Sequence, residues 1–465
     1  MTMNKTIRER INNCETETWR PLSIPFGEDA FDVQVPDDCV SLRMKTVPRS
    51  PCNRADIEHA LRHPIGSASL SEIIDAKGKP VHELTACVTV SDITRPVPYK
   101  GENGILPSIL DMIQETGVKR ENIVILIGNG MHRASTLEER ITMYGQAIVD
   151  HYRIVDHDCE DLASQVLAAH TSKGTEVHVN ALFYHADVRI VTGLVESHFM
   201  AGASGGRKGV CPALVNTRTL HKFHGVDFLE HPSATNLVLD GNPCHEEALE
   251  VARTVGVDFL VNTTLDHELK LTGVFAGDLE AAHKVAFDVT KASVSIPIAD
   301  PYDIVMTHGG YAGRNHYQCA KAAVGAMPAV QENGFILLAA NNFDAEPVGG
   351  AEYRTLLHLL KILGPDRYVS ILRHPDWVFT KDQWEPQMWA KPWRKVGLEG
   401  LVYCAPQVTT QDCLIIPGLT GYDMLSRDAA FASEKDKAQA MLKNAIKYAV
   451  SHPKWSGRTT SIAFV

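Results

Sequence analysis

The sequence predicts an α/β chain of two lobes, each a mainly parallel sheet flanked by helices, with the active site in the cleft between them. Three observations carry that expectation. Five short apolar runs each end in a polar, glycine-bearing segment that leads into a helical pattern, which is the βα rhythm of a parallel sheet. The chain has 465 residues, 44% hydrophobic and 22% charged, a composition typical of folded globular domains and a length sufficient for two large lobes. The segment from Lys291 to Tyr302, with Pro297 and Pro301, reads as a linker.

In chain order the runs are Leu84–Val90 before SDITRPVP, Asn122–Ile127 before GNGMHRAST, Val188–Val195 before ESHFMAGASGGRKG, Asp303–Met306 before THGGYAGRNHYQ, and Phe335–Ala340 before NNFDAEPVGG. Ser135 or Thr136 caps the helix after the second run, with Glu138 and Glu139 in its first turn. Ligands of open α/β sheets sit beyond the carboxyl ends of the strands, so these five loops are expected to share one pocket. Helical patterns follow at Leu279–Thr290 and Glu434–Val450, the latter able to pack on either lobe. The expected division is 1–290 and 291–465, the second lobe closing the cleft.

Composition removes whole classes of partner. Lys plus Arg number 45 against 56 Asp plus Glu, a net charge of −11, so no basic field exists to attract nucleic acid or an anionic membrane. No stretch reaches the roughly 18 apolar residues of a membrane helix, and no apolar run follows the amino-terminal charges, so a cytoplasmic location is expected. Ten cysteines are scattered without a CxxC pair and read as reduced, mostly buried thiols.

Several loop residues carry chemistry. In the segment 196–209, glycines beside Arg207 and Lys208 form either an anion cradle or a tight structural turn. Neither GxxxxGK[ST] nor GxGxxG is present. Arg95 lies in a loop stiffened by Pro96 and Pro98, suited to capturing a carboxylate or phosphate, with Asp92 orienting it. The alternative is an ordinary surface Asp–Arg pair. His132 follows a Gly-Asn-Gly turn and suits general acid/base work. His170 and His178 are further candidates, and alternation puts His178 and Asn180 on one face of a strand. Gln318 and Lys321, three apart on a helix, either present an amide and an ammonium to a ligand together or form part of a solvated helix face, and Trp384 either walls a pocket or fills the core. HExxH, EF-hand and GxSxG patterns are absent.

These segments together resemble the nickel-pincer lactate racemase family over most of the chain. The matching stretches are HPIGS at 63–67, SDITRPVP at 91–98, GMHRAST at 130–136, ESHFMAGASGGRK at 196–208, FAGDLEAAHKV at 275–285, the group Tyr317, Gln318 and Lys321, and Asp382-Gln383-Trp384. The resemblance implies an isomerase, a racemase or epimerase that inverts the hydroxylated C2 of a 2-hydroxy acid by hydride transfer to and from a nickel-pincer mononucleotide. It implies His198 as the metal ligand, His132 and His170 as the acid/base pair, and Arg95, Tyr317, Gln318, Lys321 and Trp384 as substrate-binding residues. Asp92, Ser204, Gly205, Gly206, Arg207 and Lys208 would hold the cofactor, placing the nickel and cofactor loops in the first lobe.

One departure stands out. Family members place a Lys, which links covalently to the cofactor, directly after an Ile/Val-Asn pair, and here the run is Val179-Asn180-Ala181. A noncovalently held cofactor is therefore expected, supplied by cofactor-building proteins. Arg314, Asn315 and His316 add donors beside the substrate group, which leans the expectation toward an acid larger than lactate. Two rival readings remain: a catalytically degenerate binding protein of the same fold, and an NAD-dependent dehydrogenase or epimerase, which the missing GxGxxG opposes.

Overall fold

In the computed structural model, which describes residues 2–14, 18–45, 52–426 and 428–465, all five apolar runs are strands. β1 (Ala86–Val90), β2 (Ile123–Ile127), β3 (Arg153–Asp156), β4 (Val188–Leu194), β5 (Phe259–Leu265) and β6 (Leu271–Gly277) form one six-stranded sheet in the order β6-β5-β4-β1-β2-β3. Every pairing is parallel except β5 with β6. β1 and β2 are runs of Val, Ile and other apolar residues buried almost throughout, as expected of parallel strands covered on both faces. Leu106, Ile109 and Ile113 of the helix Ile105–Glu115 pack in the same core as Val88 and Ile125.

The second sheet contains β7 (Tyr302–His308), β8 (Val330–Ala339), β9 (Leu401–Cys404), β10 (Leu419–Thr420) and β11 (Ile462–Phe464), ordered β10-β9-β8-β7-β11, with the short strand Val40–Ser41 on its outer edge beside β11. All of its pairings are parallel. The helices that matter below are α1 (Pro243–Val255), α2 (Ala281–Val294), α3 (His316–Ala326), α4 (Trp384–Gly400) and α5 (Glu434–Val450).

The chain divides into two units, Met44–Ser295 and a unit built from Met1–Arg43 together with Ile296–Val465. The division at 295/296 falls inside the proline-bearing segment, but the first 43 residues do not belong with the N-terminal half as the sequence reading had it. The hairpin Trp19–Phe26/Asp29–Pro36 buries alternate residues, Leu22, Ile24 and Phe26 on one strand and Phe31, Val33 and Val35 on the other. That period-two stripe packs with β7, β8 and α5 in one core, which also settles where α5 packs. Hydrophobic burial of this stripe outweighs proximity along the chain.

Local signals in the sequence hold up. Thr136 caps the helix Leu137–Tyr144, and Glu139 completes the capping box, a contribution of about 1 kcal/mol. All ten cysteines are free thiols, seven of them buried. Among the described residues no helix is long and apolar enough to cross a membrane.

Candidate active site

β1 and β2 are adjacent and parallel, so the loops that leave their carboxyl ends emerge side by side. This brings His132 Nδ1 within 2.6 Å of Asp92 Oδ2. The other oxygen of Asp92 accepts from the Thr94 amide at 3.1 Å and the Thr94 hydroxyl at 2.6 Å. Burial would raise this carboxyl, which is only 6% exposed. The charge and hydrogen bond of His132, with Thr94 and then Arg95, outweigh that effect and hold Asp92 well below the ordinary carboxylate range. Asp92 Oδ2 accepts the Nδ1 proton as a hydrogen bond, so the lone pair of the neutral imidazole is left on Nε2, on a ring that stays 42% exposed. That is the arrangement a general base needs.

The sequence reading put Asp92 beside Arg95 as its orienting partner. The carboxylate engages His132 instead, and Arg95 Nε is held at 3.0 Å by Glu196 Oε1 from the loop after β4. Glu196 was passed over, although it opens the densest motif in the chain.

His198 is buried. Its Nδ1 accepts from the amides of Met200 and Ala201, both at 3.2 Å, and its Nε2 lies 2.7 Å from Lys208 Nζ. The glycines beside it serve packing. Gly205 has φ +72°, and a Cβ there would stand 2.7 Å from Val195 Cγ2; at Gly206, φ +54°, it would stand 2.6 Å from His283 Cγ. The Gly206 amide is taken by Asn262 Oδ1 and the Ser204 amide by the Glu196 carbonyl, so those two are bound within the protein. Arg207 is buried and turned to the carbonyls of Ala201 and Ala203, with His283 beside it. Arg207 and Lys208, neighbours in sequence, therefore reach different partners.

Of the remaining histidines, His170 ends the hairpin Gln165–His170/Glu176–Asn180, exposed and with no ring partner among the described residues. His178 Nε2 lies 3.3 Å from Glu176 Oε2. Asn180 caps the short helix Ala181–Tyr184, whose first residue is the alanine at the lysine position. His224, which no sequence pattern singled out, ends the helix Thr217–Phe223. Burial first, then the charges of Lys208 and His132, push it down to about 3, so it belongs to the same electrostatic neighbourhood.

In the other unit, Asn315 caps α3, and one turn of that helix carries the expected group. Lys321 Nζ donates to Gln318 Oε1 at 2.6 Å, and the Trp384 indole donates to the Tyr317 hydroxyl at 2.9 Å. Trp384 stacks on Phe379 with ring centroids 6.0 Å apart. Glu385, also missed in the sequence, is buried next to Trp384 with Oε1 unpartnered. Burial raises its carboxyl well above the usual range; Lys321 lowers it and Asp382 raises it further. Arg314 and Asn315 are engaged by Asp344, and His316 is buried against Tyr353 and Trp389. The three donors that suggested a larger substrate are thus already occupied.

Among the described residues, no group of three His, Cys, Asp or Glu side chains is placed to hold a metal ion. The donor at His198 is one imidazole, so these residues fit a metal that arrives with its other ligands supplied by an organic group, and it would displace Lys208 from Nε2.

Comparison with known proteins supplies independent findings. Residues 26–236 match the lactate racemase N-terminal domain family. The chain is 32% identical over 376 residues to lactate racemase of Lactiplantibacillus plantarum, covering 80% of this chain and 85% of that protein. It is 30% identical over 383 residues to lactate racemase of Thermoanaerobacterium thermosaccharolyticum, with the same coverage. The solved lactate racemase apoprotein from the latter organism superposes with a TM-score of 0.79 at 25% identity, covering 96% of this chain and 98% of that one. A Thermotoga maritima protein of 15% identity shares the fold at a TM-score of 0.60, covering 84% of this chain and 97% of its own.

Proposed function

The chain belongs to the lactate racemase family, and on that premise we propose that it is an isomerase, a racemase or epimerase acting at the hydroxylated C2 of a 2-hydroxy acid, with lactate the first substrate to test. The observation that carries the reading is the buried Asp92 carboxylate on His132 Nδ1, which leaves Nε2 as a base on an accessible ring. Abstraction of the C2 proton would build a carbanion beside a carboxylate, so side chains alone are poorly suited to the inversion. A nickel-pincer mononucleotide, bound through His198 and by Asp92 and Lys208 without a covalent bond to Ala181, would supply a hydride acceptor.

The protein's own contribution is proton and charge handling. His132 Nε2 takes the hydroxyl proton as C2 is oxidised and returns it when C2 is reduced. Arg95, aligned by Glu196, pairs with the substrate carboxylate. Gln318 and Lys321 act on the carboxylate and hydroxyl, Tyr317 and Trp384 shape the pocket, and His170 serves the opposite enantiomer. Ala181 favours the second reading, a small-acid or nucleotide binding protein of the same fold.

The test is expression alongside cofactor-building enzymes, followed by nickel analysis, native and denaturing mass, and chiral chromatography of a 2-hydroxy acid panel starting with D- and L-lactate. Nickel near one equivalent, with added mass lost on denaturation and conversion of either enantiomer, supports the enzyme. No nickel, no added mass and no conversion, beside a working control racemase, overturns it in favour of the binding protein.

A further inference from the structure

We propose that a second pocket in the unit Met44–Ser295, of about 380 Å³ and lined by Arg207, His245 and His283, binds a small anion bearing a phosphate or carboxylate group. The central observation is the state of Arg207. Arg207 is 1% exposed and makes no ion pair with a carboxylate among the described residues; its terminal nitrogens meet the carbonyls of Ala201, Ala203 and Gly205 and the ring of His283, and Nε has no partner there. A buried cation without a counter-ion is costly, and the protein offers it only dipoles.

The neighbours register the same uncompensated charge. His245, in the first turn of α1, has Nδ1 unpartnered. His283, in the first turn of α2, has Nε2 between the Ser204 carbonyl at 2.9 Å and Arg207 at 3.2 Å. Burial and then Arg207 push both imidazoles down to about 3, so each is neutral and carries one N–H. The acids of the pocket do not answer Arg207. Glu280 gives both oxygens to Arg253, and exposed Asp240 makes no ion pair with the guanidinium. Lys284 is paired with Asp288. The amides of Cys244 and His245 are capped by Asn242, and those of Glu280 and Ala281 by Asp278, so side chains carry the binding. Leu239 and Leu249 supply an apolar wall for the organic part of the ligand.

This pocket adjoins the candidate active site but does not include Asp92, Arg95, His132, Glu196 or His198 in its lining. α2 follows β6, whose last residue, Gly277, pairs with Leu260 near the start of β5. Its first turn therefore lies toward the amino ends of the parallel strands, whereas Asp92, His132 and Glu196 follow their carboxyl ends. Arg207 connects the two, because it holds Ala201 and Ala203 in the turn whose amides meet His198 Nδ1.

Calorimetric titration of the full chain with inorganic phosphate and, separately, with succinate, which lacks the 2-hydroxyl of the proposed substrates, tests the proposal. The expected result is one saturable site for at least one probe, weakened about tenfold by His245→Ala on the pocket wall and unchanged by Arg95→Met. Phosphate alone binding, or succinate alone, identifies the anion class. Arg207→Met is expected to abolish binding, but His245→Ala decides the matter should that variant fold poorly. Selective labelling of histidine gives a second readout: the anion should raise the protonation midpoints of His245 and His283. Absence of saturable binding by both probes, or binding that His245→Ala leaves intact, overturns the site.

Discussion

Two buried carboxyl groups, one in each unit, have opposite fates. Asp92 accepts from the Thr94 amide and hydroxyl and from His132, and with Arg95 adding positive charge it is held ionised. Glu385 is as deeply buried, yet Oε1 has no partner and Asp382 opposes the help from Lys321, so it is driven toward the neutral acid. Burial is the largest single influence on both. What separates them is the number of donors aimed at the carboxylate, and only the ionised group can fix a histidine tautomer.

The comparison breaks most severely at His132. His132→Asn is expected to lower kcat about 10³-fold from both enantiomers, read as initial rates from D- and L-lactate with loaded enzyme. His170→Asn should also slow conversion from both enantiomers, because each direction uses one histidine as base and the other as acid; no loss from either would turn attention to His224. Asp92→Asn keeps the shape but frees the tautomer, and a loss of about 10²-fold in kcat with an altered pH–rate profile is expected.

Asp92 also makes a stability prediction with a definite sign. Its folded value lies below its unfolded value of about 3.9, so its stabilisation, about 2 kcal/mol by analogy with charged hydrogen bonds, is complete above that pH and is lost as pH falls toward the folded value. Unfolding of the protein and of Asp92→Asn across pH 3 to 8 should therefore show a gap that is constant near neutrality and closes in acid. A gap that widens in acid would mean that Asp92 is not the ionised partner.

Smaller effects sharpen the contrast. Glu196→Gln leaves Arg95 less firmly held, and KM for the acid should rise about tenfold with kcat little changed. Glu385→Gln replaces a carboxyl that burial drives toward its neutral form. Its folded value is raised, so ionisation costs stability increasingly as pH climbs above the unfolded value of about 4.3. The variant should gain about 2–4 °C in Tm near pH 8 and nothing near pH 4, by calorimetry. A large fall at neutral pH would show that Glu385 is ionised and bound to Lys321.

Much of this architecture was legible in the amino acids. Apolar runs such as Ile123–Ile127 and the loops after them announced parallel strands, and His132, Arg95 and the α3 group stood out because loop chemistry is local. Pairings were less legible. Asp92 was read with Arg95, three residues away, whereas its strongest partner is forty residues distant across a strand crossover. Arg207 looked like a partner for Lys208, but successive residues of a tight turn point apart. Glu385, directly after the motif Asp382-Gln383-Trp384 and in the first turn of α4, carried no sign of its burial.

Hydrophobic period, turn residues and caps set the order of the elements, because each depends on a few consecutive side chains. Which loop faces which, that Val40–Ser41 joins the second sheet while the hairpin 19–36 packs in its core, and whether a carboxyl keeps its charge were decided only in three dimensions. Those outcomes depend on strand order and on donors from distant segments, and electrostatic stabilisation in a low-dielectric interior exists only once such groups have been brought within a few ångströms.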